Sequence, residues 1–93
     1  MKHKGESVYA HYGKYRNGQT AIQLFSTNDG MPWAVATVCL PDQSLQPDEV
    51  ALKTYSENRG ILETLLDAGM IEPPHRELSS GFVTIPICKL KKP

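Results

Sequence analysis

The Asn17-Gly18 pair, set between two runs of β-forming residues, constrains this chain more than any other feature of it. Both residue types tolerate the positive φ of a tight hairpin turn, and the flanking runs, 8–15 and 20–26, are rich in tyrosine, valine, isoleucine and threonine. Side chains alternate across a strand, so Ile22 and Leu24 share one face of the second run, opposite Ala21, Gln23 and Phe25. By the same alternation Tyr12 faces away from Tyr9 and Tyr15, which puts at least one tyrosine on the outer face of the hairpin.

Turn formers at Thr27, Asn28, Asp29 and Gly30 predict a second hairpin connection leading into residues 33–40. That run is apolar at both parities apart from Thr37, which predicts a central strand covered on both faces, with Trp33 as a core anchor. Residues 41–49 carry two prolines without periodicity and read as a surface loop, followed by a short strand at 50–55. Ile61, Leu62, Leu65 and Leu66 form one apolar stripe, predicting a helix over about 57–68. Ser56 or Asn58 is the expected cap, Glu57 suits the positive end of its dipole, and Gly69 sits where a left-handed C′ residue is wanted. Pro73-Pro74 ends any helix and opens a second loop, 72–81. The last strand, 82–90, contains Pro86, which removes a ladder donor and predicts an edge strand or a bulge. The fold class is therefore α+β, an antiparallel sheet of four to five strands packed against one helix.

Ninety-three residues suffice for one domain, with short basic tails at 1–5 and 89–93. With 40% apolar and 22% charged residues the composition is that of a globular chain. Ten basic and ten acidic side chains cancel, removing the global positive field that steers proteins to nucleic acid, so that partner is disfavoured. No apolar run approaches the ~20 residues needed to span a bilayer, and the polar start lacks a signal peptide's apolar region, so a cytoplasmic location is expected. Cys39 and Cys88 each lie within an apolar stretch and read as reduced core thiols.

The residues carry no recognisable reaction chemistry. The His and Cys set (His3, His11, His75, Cys39, Cys88) has no metal-ligand spacing, and no phosphate-cradling glycine motif is present, so neither cofactor nor metal is expected. Adjacent acids such as Asp48/Glu49 read as solvated charge. Tyrosine and arginine dominate protein-binding hot spots, and edge strands offer strand addition as a docking mode, so a non-enzymatic protein-binding module is the leading expectation. The alternatives are a nucleic-acid-associated accessory domain using the aromatics as stacking platforms, and a small enzyme.

Four segments taken together resemble a known family. They are Thr20-Ala21-Ile22-Gln23-Leu24-Phe25, the run from Pro32-Trp33 to Leu40-Pro41, the block Lys53-Thr54-Tyr55-Ser56-Glu57-Asn58-Arg59-Gly60-Ile61-Leu62, and the ending from Ser80-Gly81-Phe82-Val83 to Cys88-Lys89-Leu90. The resemblance is to short bacterial proteins of chromosomes, plasmids and prophages that carry a domain of unknown function. It implies a mobile-element context, where small neutral proteins resemble inhibitors of host defence, anti-CRISPR proteins among them, and where the partner would be a bacterial defence effector complex. On that expectation the contact residues are Tyr12, Tyr15, Arg16, Asn28 and Asp29 on the hairpins, and Tyr55, Glu57, Asn58 and Arg59 at the helix start. Capping and core packing are the competing role for the last group.

Overall fold

The Asn17-Gly18 turn forms as its residues demand. Gly18 takes φ 86°, its N–H donates to Tyr15 O at 2.9 Å, and Gln19 N–H donates to Asn17 Oδ1 at 3.1 Å. The protein, described over residues 1–91 by a computed structural model, builds from this hairpin a four-stranded antiparallel sheet. Its strands are β1 (Lys2–His3), β2 (Glu6–Lys14), β3 (Thr20–Ser26) and β4 (Pro32–Val35), in that spatial order. A second, three-stranded sheet contains β5 (Glu49–Ala51), β6 (Arg76–Ser80) and β7 (Val83–Lys89), with β7 in the middle. One short helix, α1 (Ile61–Asp67), completes the fold.

The expected α+β architecture holds in outline, but two sheets replace the single sheet. Residues 33–40 do not form one buried central strand: β4 ends at Val35, and Trp33 and Val35 are each 43% exposed. The cause is a register shift. Leu24 pairs with Ala34 and Phe25 with Pro32, which leaves Trp33 as the extra residue of a bulge. The chain then changes sheets. Ala36 N–H still donates to Ile22 O, whereas Val38 N–H donates to Ala51 O and Lys53 N–H to Ala36 O, with Thr37 bridging Leu52.

Thr37, 2% exposed, sits at this junction. Its Oγ1 accepts Ile22 N–H at 3.1 Å, and Tyr15 Oη lies 3.2 Å from its carbonyl oxygen and 3.1 Å from its hydroxyl. A consistent arrangement has Tyr15 donating to the carbonyl and Thr37 donating to Tyr15. The buried Ile22 amide, which β4 no longer reaches, is satisfied by a side chain.

Between the sheets lies a core of Val8, Ile22 and Leu24 from the first, Val50, Leu52 and Cys88 around the second, and Ile61 and Leu65 from α1. Leu40, Ala51, Ile85 and Ile87 form a smaller cluster on the opposite face of the second sheet, under Val38, Leu45 and Tyr55. The second sheet is thus covered on both faces, and β7 reads as a continuous apolar run for that reason. The strand expected at 50–55 is shorter than predicted, and 82–90, expected as an edge strand or one with a bulge, is the central strand of its sheet. Leu52 N–H donates to Pro86 O, but Pro86 has no N–H to return, so the β5–β7 ladder stops beside the proline.

The stretch 72–81, expected as loop, contains β6, an edge strand whose Arg-Glu-Leu-Ser-Ser sequence buries little and so carries no apolar alternation. The helix expected at 57–68 is split into a 3-10 turn, Ser56–Asn58, and α1, because Gly60 adopts φ 88° between them. Neither Ser56 nor Asn58 caps it. Asn58, 1% exposed, instead donates from Nδ2 to Val35 O at 2.5 Å. The helix does end as expected: Gly69 has φ 72°, with Gly69 N–H to Leu66 O and Met70 N–H to Leu65 O. β1, within the expected basic tail 1–5, was not foreseen. Of the other tail, Lys92 and Pro93 lie outside the described residues.

Two polar tethers hold the long 41–48 connection. Gln19 mimics a strand neighbour, accepting Leu40 N–H at 2.8 Å and donating to Leu40 O at 2.8 Å. Glu49, 4% exposed, accepts Arg76 Nη2 at 2.9 Å, His75 Nε2 at 2.5 Å and Gln46 N–H at 2.8 Å. Hydrogen bonds from Arg76 outweigh burial and hold the Glu49 carboxyl at about 2.

Replacing Thr37 by valine leaves the buried Ile22 amide unpaired and is expected to lower unfolding free energy by roughly 1–3 kcal/mol, read from urea midpoints. Glu49 has a folded pKa below its unfolded one, so its contribution is present above about 4.5 and is lost as pH falls through about 2. The urea midpoint of the native chain should fall across that window. Glu49→Gln should start lower at pH 7 and change less over the same range.

Candidate functional site

Strand alternation sends Val8, Ile22 and Leu24 into the core and turns the other parity of the first sheet outward. On that outer face Tyr9 lies directly opposite Phe25, His11 opposite Gln23, and Gln23 opposite Val35. Phe25 is the centre of the group. Tyr9 stacks on it with centroids 5.6 Å apart and planes at 20°, and His11 meets it edge-on at 6.2 Å and 87°. Both are favoured geometries for rings with a quadrupole, so the three rings hold one another in place. Tyr9 is 47% exposed. Among the described residues, none of Tyr9, His11, Phe25 or Val35 belongs to either core cluster or to the apolar side chains packed against them.

Other exposed apolar side chains stand elsewhere. Phe82, at the turn between β6 and β7, is fully exposed, as is much of Met31 beside β4. Trp33, expected in the core, instead lines a cleft of about 200 Å³ with His3, Lys4 and Ala34. His3 is buried. Thr64 donates its hydroxyl hydrogen to Gly60 O at 3.0 Å, so His3 Nδ1 is the donor in its 3.0 Å bond to Thr64 Oγ1. Nε2 is then a buried acceptor with no partner among the described residues. Burial, and secondarily the charge of Lys4, lower the His3 pKa and keep the ring neutral.

Among the described residues the titratable and nucleophilic groups stand apart. Glu49 is held ionised with its oxygens occupied, the opposite of a raised-pKa acid. Burial pushes the Cys88 thiol up to about 11, far from a reactive thiolate; Cys39 is partly exposed, and both cysteines are free. Among the described residues no group of three or more His, Cys, Asp or Glu is placed to hold a metal ion. A cleft of about 420 Å³ runs between the 15–19 turn and the 41–47 connection, with Asn17, Gln19, Gln43, Ser44, Gln46 and Lys14 among its lining residues. No helix among the described residues is long and apolar enough to cross a membrane.

The residues singled out from sequence do not converge. Tyr12 is 50% exposed on β2, with its pKa raised by burial of the hydroxyl's surroundings, and Arg16 is exposed in the adjoining turn. Tyr15 is engaged by Thr37. Asn28 donates to Glu6 Oε2 at 3.1 Å, and Asp29 Oδ1 accepts Met31 N–H at 3.0 Å, so both build the β3–β4 turn. Tyr55 packs on the smaller cluster, with Lys53 Nζ 5.7 Å from its ring centroid. Glu57 is placed in the 3-10 turn by its backbone, and its side chain is outside the described set. Asn58 is internal, and Arg59 is exposed at the rim of a separate cleft with Glu63 and Glu77. The outer-face trio was missed, although Phe25 opposing Ile22 and Leu24 in parity was a visible signal of an aromatic turned from the core. No protein-family model, no curated protein and no solved structure matches this chain.

Proposed function

We propose that this protein is a non-enzymatic, cytoplasmic protein-binding module that docks through the outer face of its first sheet. The observation that carries the reading is the preassembled trio of Tyr9, His11 and Phe25 on a face that nothing else among the described residues covers. Rings already held in a stacked geometry lose little entropy on binding, and exposed tyrosine flanked by apolar side chains is typical of an interface anchor. Charge separates a protein partner from nucleic acid. The facing strand positions Tyr9, His11, Gln23, Phe25 and Val35 include no lysine or arginine, whereas a base-stacking platform sits in a basic groove that tracks phosphates.

The narrower reading, an accessory inhibitor of a host defence complex from a phage or mobile element, follows the sequence resemblance. It predicts a stoichiometric partner in bacterial lysate, captured by the tagged native chain. A Tyr9→Ser, Phe25→Ser double variant should weaken that capture about 30-fold, the equivalent of ~2 kcal/mol from aromatic anchors. Far-UV circular dichroism checks that the variant still folds. Equal capture by the variant, absence of any stoichiometric partner, or salt-sensitive oligonucleotide binding by the native chain would each overturn the proposal.

A further inference from the structure

The outer edge of β2 is open, and its hydrogen-bonding groups are aligned. Ser7 O accepts Thr27 N–H and Tyr15 N–H donates to Gln19 O, so the odd residues of β2 bond to β3 and the even ones point the other way. Of the even residues, Val8 is taken by Met1, whose carbonyl accepts Val8 N–H at 2.8 Å. Ala10, Tyr12 and Lys14 remain, each presenting an N–H and a C=O that no described backbone group pairs.

Natural edges are normally protected by proline, bulges or charge. The β4 edge starts at Pro32 and carries the Trp33 bulge, and the β6 edge carries Arg76 and Glu77. Along the open stretch of β2, residues 10–14, there is no proline and no bulge, and the one charge is Lys14 at its end. Gly13 adds an independent observation. It lies inside a strand without positive φ, and a Cβ there would meet nothing within 4 Å, so the isolated chain has no steric need for glycine. Glycine in a strand interior leaves no side chain in the way of a second backbone at that position.

We infer that this edge pairs antiparallel with the same edge of a second copy, joining two four-stranded sheets into one of eight strands about a two-fold axis through Tyr12. The register follows from the groups available. Pairing Ala10 with the copy's Lys14, Tyr12 with its counterpart, and Lys14 with the copy's Ala10 satisfies every open group. A shift by two residues toward Val8 runs into Met1, and a shift the other way runs into the turn at Arg16. In this register His11 lies opposite Gly13 of the copy, where no side chain obstructs it, and no two lysines face each other. The aromatic faces of the two copies then become continuous. A five-residue edge alone covers less than the ~1,200 Å² of stable interfaces, so association is weak, with Kd between roughly 10 µM and 1 mM.

Sedimentation equilibrium of the full chain from about 10 µM to about 1 mM is expected to show the mean mass rising from 10.3 kDa toward twice that value. Hydrogen exchange should slow with concentration at the amides of Ala10, Tyr12 and Lys14 and not at those of Tyr9 and His11. Tyr12 is an exposed side chain, so Tyr12→Lys and Tyr12→Glu should fold. Each opposes like charges across the axis and should self-associate about tenfold more weakly than the native chain, while their equimolar mixture recovers association. A chain that stays monomeric to about 1 mM overturns the inference and leaves the edge to a strand from a different protein. A dimer indifferent to both substitutions, or a mixture no tighter than its components, overturns it equally. The docking face and this edge involve different groups, so loss of partner capture in the Tyr9, Phe25 variant leaves the dimer result independent.

Discussion

The passage of the chain from one sheet to the other at residues 36–38 is the constraint on which the rest of this structure depends. Ala36 still bonds to β3, Val38 already bonds to β5, and Thr37 between them must be buried without leaving Ile22 N–H unpaired. A hydroxyl at Thr37 meets that requirement, and Tyr15 then locks the carbonyl and hydroxyl of the same residue. Unpaired buried backbone donors are rare because each forfeits its bond to water without replacement. The crossing between the two sheets therefore leaves no buried backbone donor at Ile22 unpaired.

The same logic recurs in the long connection after β4. A surface segment with two prolines has little ordering tendency of its own, yet Leu40 is fixed by the two-way amide pairing of Gln19, and the far end is held by Glu49 under Arg76 and His75. Glu49 is a buried charge surrounded by donors and is structural in kind: Arg76 and His75 join it to the start of β6, and Gln46 N–H ties it to the connection itself. The aromatic trio of the first sheet, by contrast, is packed in place on the outer face.

Several elements were legible in the residues themselves. The first hairpin follows from Asn17-Gly18 and strict alternation, and the end of α1 from Gly69 with the fold-back of Met70. The errors share a cause. Residues 33–40 are apolar throughout, and periodicity cannot distinguish a strand buried on both faces from a chain that is half exposed edge and half inter-sheet crossing. β6 is polar because it is an edge, and polarity alone reads as loop. Pro86 predicts an edge strand or a bulge, yet a proline also fits a central strand where the neighbouring ladder has just ended. For the candidate site, tyrosine and turn residues near one another in sequence became Tyr15 at the junction, Asn28 and Asp29 in a turn, and Asn58 in the interior.

By itself the amino-acid sequence determined the antiparallel hairpin, the place of the helix stripe, the thiol character of Cys88 and the balance of charge, because each depends on local periodicity, turn chemistry or composition. Tertiary structure alone decided that there are two sheets, that β7 is central, that Trp33 is exposed, and that Tyr9, His11 and Phe25 meet on an uncovered face. Those outcomes rest on which backbone amides pair across the fold and on what packs above each face. Both are relations between residues distant in the chain: strand parity turns Phe25 away from Ile22 and Leu24 but does not say what lies above it.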